Sequence, residues 1–253
     1  MIKTNPSLPG WIENYAYPGA IKIDATLTDE NAFWFLLSSC CPAIFESYAI
    51  LLHPFKVNWK LKKELDLGLS VQKESDSADF DNVTWKDFFT FYNKKFDINN
   101  AYKTHNEIAK ALSSHTKIIS LDPVKLTGWP PYIYFPDEGN AEYEHLEAII
   151  KDIQVIHGDQ VVNYFFFLEN TKDWQYGDIM YEGTLSEFEK LKQQDNIDDT
   201  PTAIYPITME WCIVSSIDLP FTYIGGKAAL IDKIISNREL EVFKLQQIFN
   251  PIS

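Results

Sequence analysis

The stretch "VVNYFFFL" at 161–168 constrains this chain more than any other. No polar residue interrupts it after Asn163, so a strand built from it carries apolar side chains on both faces. Such a strand needs cover on both sides, which means a sheet of several strands with further elements packed against it.

Those elements can be read off the rest of the chain. "TWKDFFTFYNKKF" (84–96) is the clearest helix. Thr84 and Asp87 form a variant capping box, and Trp85, Phe88, Phe89, Tyr92 and Phe96 recur at helical spacing. "TDENAFWFLLSSCC" (28–41) places Ala32, Phe33, Leu36, Leu37 and Cys40 on one helical face, and Pro42 stops it. Thr104 and Glu107 open a short helix with Ile108 and Leu112. Pro130, Pro131 and Pro136 exclude a helix before about residue 139, after which Tyr143, Leu146, Ile150 and Ile153 mark another. "ESYAILLHPF" (46–55) reads as a buried strand ended by Pro54.

"GDIMYEGTLSEFEKLKQQ" gives a strand to about Tyr181 and then a helix capped by Thr184 and Glu187. Leu185, Phe188 and Leu191 form its inner stripe, with Glu187–Lys190 and Glu189–Lys192 pairs on its wet side. Residues 195–203 read as an exposed linker, followed by a strand at 210–215 and a closing strand near 241–245. Helices and strands mix without regular alternation and without an internal repeat. The expected fold is α+β, a mixed or mainly antiparallel sheet with helices packed on it. It is expected to occupy 1–253 as a single domain with a flexible acidic loop near 72–83.

Charge narrows the choice of partner. The net charge is −14, from 36 Asp and Glu against 22 Lys and Arg. A surface of that sign repels nucleic-acid phosphates and anionic lipid, and it attracts basic protein within roughly a Debye length, about 8 Å at physiological salt. An acidic surface also serves solubility alone. Cys40, Cys41 and Cys212 are odd in number and make no C-x-x-C pair, so free buried thiols are expected. The opening "MIKTNPSLPGW" lacks the apolar centre of a secretory signal, and no apolar run reaches the roughly 18 residues of a membrane span. The chain reads as cytoplasmic.

The nearest thing to a ligand signature is "SSIDLPFTYIGGKAALIDKI" (215–234). A phosphate-binding P-loop needs glycine five residues before its Gly-Lys and Ser or Thr after it. Phe221 and Ala228 stand there instead. A Rossmann pattern lacks its third glycine. Two alternatives stay open: Gly225 and Gly226 expose backbone N–H groups at a helix start and, with Lys227, hold an anion, or they supply a positive φ or close packing. His53, in an apolar strand, is either a hydrogen-bonded core histidine or a site residue. Asp218 is either a turn-holding carboxylate or a binding group. A pocket reading joins His53, Asp218, Tyr223, Gly225, Gly226 and Lys227, with Glu46 nearby. No metal-ligand spacing is present among the five histidines, and no cofactor is expected.

The segments "ESYAILLHPF", "TWKDFF", "GWPPYIYFPDEG", "DIMYEGTLSEF" and "EWCIVSSIDLPFTYIGGKAALI" together resemble a family of uncharacterised bacterial proteins, over most of the chain from about residue 44. In size, acidity and aromatic richness the chain is also similar to immunity proteins of bacterial toxin systems. That resemblance implies a non-enzymatic binding protein whose partner is a basic toxin, and it assigns no residue. An enzyme or small-ligand binder with an anion site at 225–227 is the alternative. A homo-oligomer would account for exposed aromatics equally well.

Overall fold

The computed structural model describes residues 1–6, 44–69, 79–98, 101, 130–172, 177–215 and 219–245. They form two compact units, Met1–His53 with Asp137–Ser253, and Pro54–Pro136. The chain leaves the first unit after His53 and re-enters it at Asp137.

The first unit is built on an eight-stranded sheet. Its strands are β1 (Ile2–Thr4), β2 (Ser47–Leu52), β6 (Val161–Phe166), β7 (Ile179–Thr184), β8 (Ala203–Pro206), β9 (Cys212–Ser215), β10 (Phe221–Gly226) and β11 (Val242–Lys244), in the order β1-β7-β6-β8-β9-β10-β2-β11. Every pairing in it is antiparallel. The fold is α+β, as expected, and the sheet is antiparallel throughout its described pairs. In β6 the double-sided burial begins at Tyr164, with Val161 exposed and Asn163 half-buried.

One face of the sheet carries Ala49, Leu51, Val162, Tyr164, Phe166, Ile204, Ile213 and Ile224. Against it lie α3 (Tyr143–His157), through Leu146, Ile149, Ile150 and Ile153, and α4 (Ala228–Ile235), through Leu230, Ile231 and Ile234. Full burial of each of these aliphatic side chains stabilises the fold by roughly 1.5–3 kcal/mol before entropy is counted. A charged pair sits in the same layer: Asp152, buried, accepts from Asn237 at 2.9 Å and faces Lys233 at 2.9 Å.

The Thr184–Glu187 capping box forms as read, but the helix it opens, Leu185–Gln193, is a 3-10 helix. Its stripe Leu185, Phe188, Leu191 repeats every three residues, which matches three residues per turn. Lys190 pairs with Glu187 at 2.7 Å, whereas Lys192 reaches Glu147 of α3 at 3.0 Å. Residues 195–203 are not an exposed linker. Thr200, Thr202 and Ala203 are buried: Asn140 accepts from the Thr200 N–H and hydroxyl, Asn170 accepts from the Thr202 hydroxyl, and Ala203 begins β8.

The second unit is a three-stranded sheet, β4 (Asp81–Val83), β3 (Phe55–Val57) and β5 (Ile133–Tyr134), with α1 (Trp59–Asp66) and α2 (Trp85–Phe91). Residues 81–83, read as the end of the acidic loop, are therefore strand; 70–78 lie outside the described residues. The helices read at 28–41 and from Thr104 also lie outside them, as do Cys40 and Cys41. Aromatic rings make this core. Phe55 stacks on Phe88 at 3.8 Å and tilts against Trp85 at 5.0 Å, the latter a spacing at which aromatic pairs gain about 0.5–1.5 kcal/mol beyond their burial. Thr84 caps α2 through the Asp87 N–H, as the sequence indicates. The helix stops at Phe91 instead of running to 96, because Asn93 turns into the left-handed region with φ 56°.

Candidate binding surface

The Gly-Gly pair is strand, and its first role is contact. Gly225 pairs with Tyr48 and Cys212, and Gly226 with Ser47, inside β10. Neither has a positive φ. A Cβ on Gly225 would stand 2.5 Å from the Phe45 ring, and one on Gly226 would stand 3.0 Å from Leu230 and 3.3 Å from Trp211. Of the readings open from sequence, close packing is what the geometry provides. The helix start that follows is already met by an anion of the chain's own, since the Glu46 carboxylate accepts from the Ala228 N–H at 3.3 Å. Lys227 is exposed beside it.

His53 is fully enclosed and hydrogen-bonded on both ring nitrogens. Nδ1 meets the Asp137 carbonyl oxygen, which can only accept, so Nδ1 carries the proton. Nε2 then accepts from the Thr222 hydroxyl at 2.8 Å, and Thr222 Oγ1 accepts from Ser215 at 2.7 Å. Thr222 and Ser215 are cross-strand partners of β10 and β9, which is why their hydroxyls meet. Tyr223, the next residue along β10, points to the opposite sheet face and packs edge-on against Phe221 at 5.5 Å. Lys227 follows four positions on, roughly 13 Å along an extended chain at about 3.3 Å per residue. The structure thus brings His53 together with Thr222 and Ser215, residues the sequence reading did not single out, and sets Tyr223 and Lys227 apart from it. Asp218 lies outside the described residues. Cys212 is completely buried, and burial pushes its thiol up to about 12, which makes it a poor nucleophile.

Charge gathers elsewhere on the first unit. The start of α3 presents Glu142, Glu144 and Glu147, the 3-10 helix adds Glu189, and the segment before β8 adds Asp195, Asp198 and Asp199. Asn140 ties the two parts together, donating to Asp199 Oδ1 at 2.9 Å while its carbonyl holds Thr200. Tyr143 lies between them. Its hydroxyl donates to the Asp199 carbonyl at 3.4 Å, and burial, then the Asp199 charge, pushes it up to about 12. Lys192 sits 4.7 Å over the Tyr143 ring with its charge spent on Glu147, a bond that raises its pKa. His145 is pulled below the usual imidazole range by burial, against the pull of Glu142 and Glu144, and its Nδ1 is buried without a hydrogen-bond partner. From Asp195 through Gly226 the sequence contains no Lys or Arg at all. The second unit differs, with Lys56, Lys60, Lys62, Lys63, Lys86, Lys94 and Lys95 near balance with Glu64, Asp66, Asp79, Asp81, Asp87 and Asp97 among its described residues.

No helix among the described residues is long and apolar enough to cross a membrane. No family model, curated protein or solved structure matches this chain.

Proposed function

We propose that this chain acts by binding, and that its partner is a basic protein, in the manner of an immunity protein neutralising a toxin. One observation carries the reading: carboxylates of the first unit gather at the start of α3 and on 195–199, and Asn140 and Tyr143 tie the two segments together through Asp199. Fixed charge of one sign raises the association rate with an opposite surface and disfavours acidic competitors. Lys192 neutralises Glu147 within the group, and Glu142, Glu144, Glu189, Asp195, Asp198 and Asp199 keep it negative in balance.

The test is affinity capture from the native cell with the wild-type chain and with a triple charge reversal, Glu144→Lys, Glu147→Lys and Asp198→Lys. The expected result is one basic protein retained by the wild type and lost to the variant, with the variant's far-UV circular dichroism unchanged. An acidic partner, or a basic one held equally by both chains, would overturn the reading.

A further inference from the structure

The 3-10 helix and α3 meet at one lysine. Lys192 donates to Glu147 Oε1 at 3.0 Å, and its ammonium stands 4.7 Å over the Tyr143 ring. Tyr143 and Glu147 lie four apart on α3, so the helix sets ring and carboxylate side by side. Both are held in place. The Tyr143 ring packs on Phe188 at 5.5 Å and its hydroxyl donates to the Asp199 carbonyl at 3.4 Å, while the Glu147 side chain is only 19% exposed. Lys192, at 41%, is the outer member of the three. Glu144 and Glu189 add their fields to that of Glu147 at the ammonium.

A fixed ring face beside a fixed carboxylate is a cation site, and here the cation seated in it is the chain's own. Lysine fills it incompletely. Its ammonium is bonded to one oxygen of Glu147, and the other, Oε2, accepts from no described residue. A guanidinium is planar, so it stacks on an aromatic face and can donate to both oxygens of a carboxylate. Lys192 is held by a partly exposed ion pair at the end of a long side chain, and pairs of that kind exchange readily for an outside cation.

We propose that Tyr143 and Glu147 form an anchor site for an arginine of the partner, and that Lys192 occupies this site in the free chain and swings out when the arginine enters. Lys192 thereby acts as a selector, favouring a side chain that both stacks and bonds bidentately over a simple ammonium. This rests on the reading of a basic protein partner and names the group on that partner which the surface selects.

The probe is a short peptide alternating arginine and serine, titrated into the full chain at low salt and followed by NMR, with a lysine–serine peptide of equal length as control. In the free chain the Tyr143 ring current displaces the Lys192 side-chain methylene signals. The arginine peptide is expected to return them to their ordinary positions, and the lysine peptide to bind about threefold more weakly or worse. Lys192→Met keeps the apolar stem, removes the charge and should tighten arginine-peptide binding about threefold or more; Glu147→Gln added to it should cancel the gain. Lys190→Met removes an equal charge from the same helix but frees Glu187 instead, and should leave affinity within about twofold of wild type. An unchanged amide spectrum away from the substitutions checks that each variant is folded. Peptide binding with the Lys192 signals unmoved, an equal gain from Lys190→Met, or equal affinity for the two peptides would overturn the arginine site and leave the basic-partner reading to stand on affinity capture. No binding of either peptide would overturn it as well.

Discussion

At residue scale the question posed by Gly225 and Gly226 has a steric answer. Two glycines before a lysine look alike in sequence whether they cradle an anion, turn a corner or admit a ring. What separates these is Phe45, whose approach to Gly225 depends on the pairing of β2 with β10. Replacing Gly225 with alanine should therefore destabilise the fold by about 1–3 kcal/mol, the usual cost of overpacking a filled core. Urea denaturation of G225A checks this, and a midpoint equal to wild type would remove the packing role. His53 was legible in part: its apolar flanks indicate a buried, hydrogen-bonded histidine. That its partners are Thr222 and the Asp137 carbonyl follows from long-range pairing that a linear pattern does not contain.

At the scale of elements the sequence was clearest where local chemistry acts alone. Thr84 with Asp87 and Thr184 with Glu187 cap where they were read, because a cap is a contact between residues three apart. It was least clear where a remote partner decides. Residues 195–203 are polar enough for a linker, yet Asn140 and Asn170 bury their threonines. The 3-10 geometry of 185–193 has its sequence signal in the three-residue stripe Leu185, Phe188, Leu191.

The capping box also sets a pH response. The Lys190 ammonium, the chain's amino terminus and the Thr184 N–H hold Glu187 at about 2, below its usual 4.5. A depressed carboxylate favours folding at pH above its unfolded value, and the contribution fades as pH falls through the folded one. The stability difference between wild type and Glu187→Gln, measured by thermal denaturation, should be constant between about pH 5 and about pH 7 and shrink between about 4.5 and about 2. A difference independent of pH over that window would show that the carboxylate charge contributes nothing there.

At the scale of the whole molecule, the irregular order of helices and strands indicated the α+β class, and composition the net charge, a sum that needs no contacts. The distribution of that charge was not legible. Carboxylates concentrate on the first unit among the described residues, while the second is near neutral and rimmed with rings such as Trp59, Phe91 and Tyr134. Charge placement depends on which faces the folded chain leaves wet, and that follows from tertiary packing. Binding through fixed carboxylates has a direct signature in kinetics, since screening slows the encounter of opposite charges and leaves neutral encounters nearly unchanged. The decisive measurement is the association rate of this chain with its captured partner across ionic strength. A rate falling about tenfold or more from low to high salt is expected; a rate that stays flat would contradict the proposal that opposite charge brings the two together.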